Sequence, residues 1–164
     1  MRQRINALVL VAAASALLSL AGCTGKQRPS TINQQAALTG VLPYNPLAWK
    51  VVTSWVNDRN GSMSTLYGND VAVRYARSDS AHTYPPGSVL ALVTWAQRDD
   101  PHWFGAKIPS TPQSVEFVII PQSPGQPATY QRYQGSPLTR VITIDENIVE
   151  RIDHLTSQRA AVMP

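Results

Sequence analysis

Three clusters of side chains in this sequence could do chemistry. Glu116 stands inside the apolar run Gln113-Ser114-Val115-Glu116-Phe117-Val118-Ile119-Ile120. Strand alternation turns it away from both Val115 and Phe117. Two readings follow: a solvated outer-face carboxylate, or a polar pocket residue whose pKa desolvation would raise. His102 follows Asp99 and Asp100 in a proline-bearing stretch. An imidazole and two carboxylates are metal-ligand types, but adjacent loop residues seldom converge on one ion. The simpler expectation caps a turn with Asp99 and Asp100 and packs Trp103 and Phe104 over the sheet. His154 closes Glu150-Arg151-Ile152-Asp153-His154. At about 100° per residue, Ile148, Val149, Ile152 and Leu155 form an apolar stripe. His154 then lies about 150° from its centre, on an ionic face with Glu150 and Arg151. His82, in a polar loop, is expected in solvent.

Other chemistries lack their residues. There is no Gly-x-Ser-x-Gly, no His-Glu-x-x-His and no phosphate-binding glycine loop. No catalytic residue and no metal site are expected. Cys23 is the one cysteine. Disulfides, thiolate zinc and iron–sulfur clusters are therefore not expected.

Cys23 has a role of its own. Met1-Arg2-Gln3-Arg4 is basic, and Ile5 to Leu20 is almost wholly apolar or small. That run is shorter than the roughly 20 residues a spanning helix needs. It ends in Leu20-Ala21-Gly22-Cys23, which is similar to the bacterial lipobox. The expectation is a lipoprotein signal over residues 1–22, lipidation at Cys23, a flexible tether over 23–40 and one domain over 41–164. Several acyl chains on one residue hold a membrane durably. Thr24 in place of an aspartate favours the outer membrane, facing the periplasm. Removing Arg2 and Arg4 leaves 12 basic against 10 acidic residues, a formal +2. That is too small and too dispersed for nucleic-acid binding.

These side chains need elements to position them. Trp49 to Val56 is β-branched and aromatic, a strand. Asn60-Gly61 turns the chain, and Ser64 to Tyr67 returns it. Asn69 to Arg77 reads as a helix capped at Asn69 or Asp70. Pro85-Pro86-Gly87 breaks it. Ser88 to Trp95 is the most apolar run after the signal, a central strand. Asp99 to Pro112 reads as a loop with three prolines. Gln113 to Ile120 and Thr129 to Tyr133 are strands, and Glu146 to Gln158 is a helix capped by Asp145. Short connections between strands point to an α+β fold, mainly antiparallel with flanking helices.

Three stretches together resemble the cytochrome P-460 family. Trp49-Lys50-Val51-Val52 is followed by Leu66-Tyr67-Gly68-Asn69-Asp70-Val71-Ala72. Tyr84-Pro85-Pro86-Gly87-Ser88 runs into a strand ending at Trp95. Pro112-Gln113-Ser114-Val115-Glu116-Phe117-Val118 follows a proline-rich loop. The similarity spans roughly residues 44–135. It implies an antiparallel sheet with flanking helices, and an ancestry of c-type haem proteins that oxidise hydroxylamine or bind gases.

The departures from that pattern bear on function. The family's C-terminal Cys-x-x-Cys-His has Glu150-Arg151-Ile152-Asp153-His154 in its place, and a thioether needs cysteine sulfur. Leu92 stands about where relatives often carry a basic residue. The resulting expectation is an envelope lipoprotein without covalent haem and with no cofactor. It would be a non-catalytic binding or structural module for an apolar small ligand or an envelope protein. The alternative is a noncovalent haem protein, redox-active or gas-sensing, with His154 or His102 as the axial ligand.

Overall fold

A computed structural model of the 164-residue chain describes residues 32–78, 83–123, 125–142 and 147–161. Cys23, the signal segment, His82, Asp145 and Glu146 lie outside them. The chain divides into Met1–Ile32 and Asn33–Pro164.

Six strands form one sheet in the order β1-β2-β3-β4-β5-β6, every neighbouring pair antiparallel. They are β1 (Lys50–Asn57), β2 (Ser62–Gly68), β3 (Val89–Asp99), β4 (Lys107–Ile119), β5 (Thr129–Gln134) and β6 (Thr139–Val141). Helix α1 (Asp70–Ala76) joins β2 to β3, and α2 (Ile148–Thr156) follows β6. The α+β antiparallel expectation holds.

The central strands are apolar because they are covered on both faces. Leu66, Leu90, Leu92 and Val118 pack with Ala72, Val73 and Ala76 of α1 and Leu155 of α2. Val89, Ala91, Val93, Trp95, Val115 and Phe117 turn to the other face, under Ala36, Leu38, Leu42 and Trp49. That second cover shortens the tether expected over residues 23–40. Asn33 Nδ2 donates to the Pro109 carbonyl at 2.6 Å, and Trp95 Nε1 donates to the Ala36 carbonyl at 2.9 Å. Residues 33–40 therefore belong to the folded unit.

Helix α1 begins where expected. Asn69 Oδ1 accepts from the Ala72 and Val89 amides, and Asn69 Nδ2 donates to the Gly87 carbonyl at 2.8 Å. One side chain thus caps the helix and fixes the start of β3. Gly68 lies beneath it, and a Cβ there would stand 3.0 Å from the Ala72 Cβ.

Two expectations fail around the β3–β4 hairpin. The long loop shrinks to residues 100–106, because Pro109 and Pro112 lie within β4. Register shifts around Trp95 place those prolines opposite Gln97 and Trp95. Such irregularities accommodate residues with no N–H to give. Trp103 and Phe104 do not pack over the sheet; they are 73% and 111% exposed at the hairpin tip.

Candidate functional site

Strand alternation on β4 sends Glu116 to the face that carries the helices, where it is buried. In register it lies between Leu92 of β3 and Arg132 of β5. Helix α2 crosses this spot. Its sheet-facing side is Ile148, Arg151, Ile152 and Leu155, an i, i+3, i+4, i+7 set. The expected stripe had Val149 in the place of Arg151, but Val149 is 69% exposed. The ionic-face reading of Arg151 fails for a physical reason: a buried carboxylate needs a cation, and Arg151 supplies it.

Arg151 Nε donates to Glu116 Oε2 at 2.6 Å and Arg151 Nη2 to Oε1 at 2.8 Å. Tyr130 Oη donates to Oε2 at 2.6 Å. Burial alone would push the Glu116 carboxyl up, as the pocket reading expected. The hydrogen bonds from Arg151 and Tyr130, with the charges of Arg151 and Arg132, outweigh it and hold the pKa below the ordinary carboxylate value. The solvated-face reading fails as well. Burial, then the bond to Glu116, pushes the Tyr130 hydroxyl up, so it stays a donor. Bonding to Glu116 also raises Arg151 further.

His154 reaches the same place. It lines a groove of about 500 Å³ together with Glu116, Tyr130, Arg132 and Arg151. The residue is exposed, and its ring stands edge-on to Trp55 at 6.5 Å. The structure thus brings together the two candidates Glu116 and His154, one at the floor and one at the rim. It does not bring His102. The His102 amide donates to Asp100 Oδ1 at 2.8 Å in the β3–β4 loop, and Asp99 pairs with Lys107. Among the described residues no three His, Cys, Asp or Glu side chains gather as a metal site.

A family model described as cytochrome P460 matches residues 44–130, more than half of the 164-residue chain. The chain belongs to the cytochrome P460 family. No curated protein matches it in sequence. The matched span covers β1 through the start of β5, including Asn69, Leu92 and Glu116. Arg132, Arg151 and His154 lie beyond it.

Cytochrome P460 membership raises the question of haem. A porphyrin wants an apolar slot with an imidazole over the iron. The groove beside His154 has a guanidinium–carboxylate pair as its floor, with Tyr130 and Arg132 beside it. Leu92 is buried in the core. The groove side chains make a charged, hydrogen-bonding surface. Both oxygens of Glu116 are engaged, by Arg151 and by Tyr130.

Sequence reasoning missed Arg151, Tyr130 and Arg132. One signal was present. A glutamate inside an apolar strand demands a partner, and Tyr130 and Arg132 share one face of β5 by alternation.

Proposed function

We propose that this cytochrome P460-family chain is an envelope lipoprotein, anchored through Cys23, whose domain binds a small polar ligand or an envelope protein without covalent haem and without catalysis. The observation that carries this reading is the pairing of Glu116 with Arg151 and Tyr130 beneath α2. It gives the groove beside His154 fixed charge and hydrogen-bonding groups. The lack of any cysteine but Cys23 supports the same reading. The lipobox-like Leu20-Ala21-Gly22-Cys23 supports anchorage, with the outer membrane favoured and the domain facing the periplasm. No nucleic-acid partner is part of this reading.

A second reading has one observation in its favour. His154 lines the groove and presents an imidazole, so noncovalent haem with redox or gas-binding function is its content. The test is an absorption spectrum of the purified chain, as isolated and during titration with haemin. The expected result is a colourless protein with no saturable Soret band. A stoichiometric Soret band lost in His154→Ala would overturn the haem-free proposal. Anchorage is tested by the mass of the mature N-terminus, with Cys23→Ser as the unlipidated control.

A further inference from the structure

The face of the sheet that carries the helices changes character along the strands. Near the helices its cross-strand rung is Leu66, Leu92, Glu116 and Arg132. The next rung is Ser64, Thr94, Ser114 and Gln134. A covered sheet face normally carries apolar side chains at such positions. Yet Ser64 and Ser114 are each only 7% exposed. They border a cavity of about 360 Å³ that Trp55 flanks and that Arg132 and Arg151 also line.

Two groups in this cavity are left over. Ser64 and Thr94 bond each other at 3.0 Å. Ser114 makes no hydrogen bond through its hydroxyl among the described residues, although it is more than nine-tenths buried and lines the cavity. The second group is a cation. Both oxygens of Glu116 are taken by Arg151 and Tyr130. Arg132, cross-strand from Glu116, makes no salt bridge among the described residues, although its charge acts on that carboxylate. With its amide oxygen turned inward, Gln134 accepts from Arg132 Nε and Nη2 at 3.2 and 2.7 Å. That bond orients the guanidinium without neutralising it. In the lining of this polar cleft one carboxylate, Glu116, faces two guanidiniums, a net positive charge, while Glu150 lines the adjoining groove. An oxyanion placed there gains charge-assisted bonds that a neutral ligand does not.

We infer that the cavity walled by Trp55, Thr94, Ser114, Arg132 and Gln134 binds a small oxyanion, a carboxylate or phosphate on a compact polar molecule. Arg132 is its charged anchor and Ser114 a hydrogen-bond donor. This deepens the binding-module reading and rests on it. The volume lies near the lower end for small-molecule sites, which are typically about 300–1,000 Å³.

The experiment is an NMR titration of the full-length chain in detergent at constant ionic strength. The probes are inorganic phosphate, acetate and, as a neutral polyol, methyl glucoside. Saturable shifts of the Arg132 Nε–H and Trp55 indole signals are expected with phosphate or acetate. The tighter of the two identifies the anion. Arg132→Gln should weaken binding about ten-fold or more and Ser114→Ala about three-fold, as befits a charged and a neutral hydrogen bond. Ser114→Ala keeps the test decisive if Arg132→Gln does not fold. Absence of saturation by either anion, unchanged affinity in a folded Arg132→Gln variant, or saturation by methyl glucoside alone would overturn the oxyanion site. The haemin titration reads the parent proposal separately. A colourless protein that ignores both anions loses only this inference, and one that takes up haem at His154 loses the parent.

Discussion

The guanidinium of Arg151 meets the carboxylate of Glu116 through two donors, at 2.6 and 2.8 Å, across 35 residues of chain. The contact joins helix α2 to strand β4. Its two ends differ in exposure: the Glu116 side chain is 5% accessible and the Arg151 side chain 38%. The carboxylate therefore bears most of the desolvation, and losing its partner should be the costlier event.

That asymmetry is measurable. Arg151→Met leaves a charge buried on β4 and should destabilise the fold by about 2–3 kcal/mol. This is below the 3–5 kcal/mol typical of a fully buried pair, because water reaches the Arg151 end. Adding Glu116→Leu should recover most of the loss, since an apolar pair removes the orphaned charge. Urea unfolding of the two single variants and the double variant measures the coupling. A double variant no more stable than Arg151→Met would show that the pair is not what holds α2 down.

Acid should release the same contact. The folded Glu116 pKa lies below its ordinary value, so the unfolded chain binds more protons in the window between the two. This contribution is fully present above the ordinary glutamate value of about 4.3 and is lost as pH falls through the folded pKa. Glu116→Gln should flatten that part of the stability–pH curve. Melting temperatures from pH 7 downward, for the natural chain and the variant, test it. Parallel curves for the two would refute the assignment.

Asn69 offers a test of local logic. Its oxygen caps α1 and accepts from Val89, while its nitrogen holds the Gly87 carbonyl. Asn69→Asp keeps both acceptor bonds and loses the donor. Asn69→Ala loses all three. The expected order of stability is Asn, then Asp, then Ala, with Ala down by about 2 kcal/mol. Chemical denaturation ranks them, and equal losses for Asp and Ala would mean that the Gly87 bond carries the whole effect.

Which features the sequence discloses follows from the range of the forces involved. Strand β3 is legible because burial on both faces leaves a continuous apolar run. Helix α1 is legible because its cap is local. The start of β4 is hidden by Pro109 and Pro112, which mimic a loop until Trp95 and Gln97 are known to lie opposite. Strand β6 has three residues, too few to show a period. Arg151 is misassigned because helical periodicity sends charge to water unless a partner is known, and that partner is on another element. The hydroxyl rung of Ser64, Thr94 and Ser114 is drawn from three strands, so no window of sequence contains it. Glu116 and His154 are legible singly; their shared groove is not.

The N-terminal cover of the sheet can be told apart from a tether by experiment. If residues 33–40 were only a spacer, deleting them would leave the fold's stability unchanged. Here Ala36 and Leu38 pack on the core that contains Val93, Trp95 and Phe117. The Trp95 indole would lose its acceptor at Ala36, and the Leu138 amide would lose the Thr39 carbonyl at 2.7 Å. Exposing part of that core and orphaning a buried indole N–H should cost about 2–4 kcal/mol in total. A chain starting at Val41 should therefore unfold at lower urea than one starting at Asn33. Its Trp95 indole signal should also exchange with solvent faster. Equal midpoints and equal exchange would return residues 33–40 to the tether and place the start of the folded unit at residue 41.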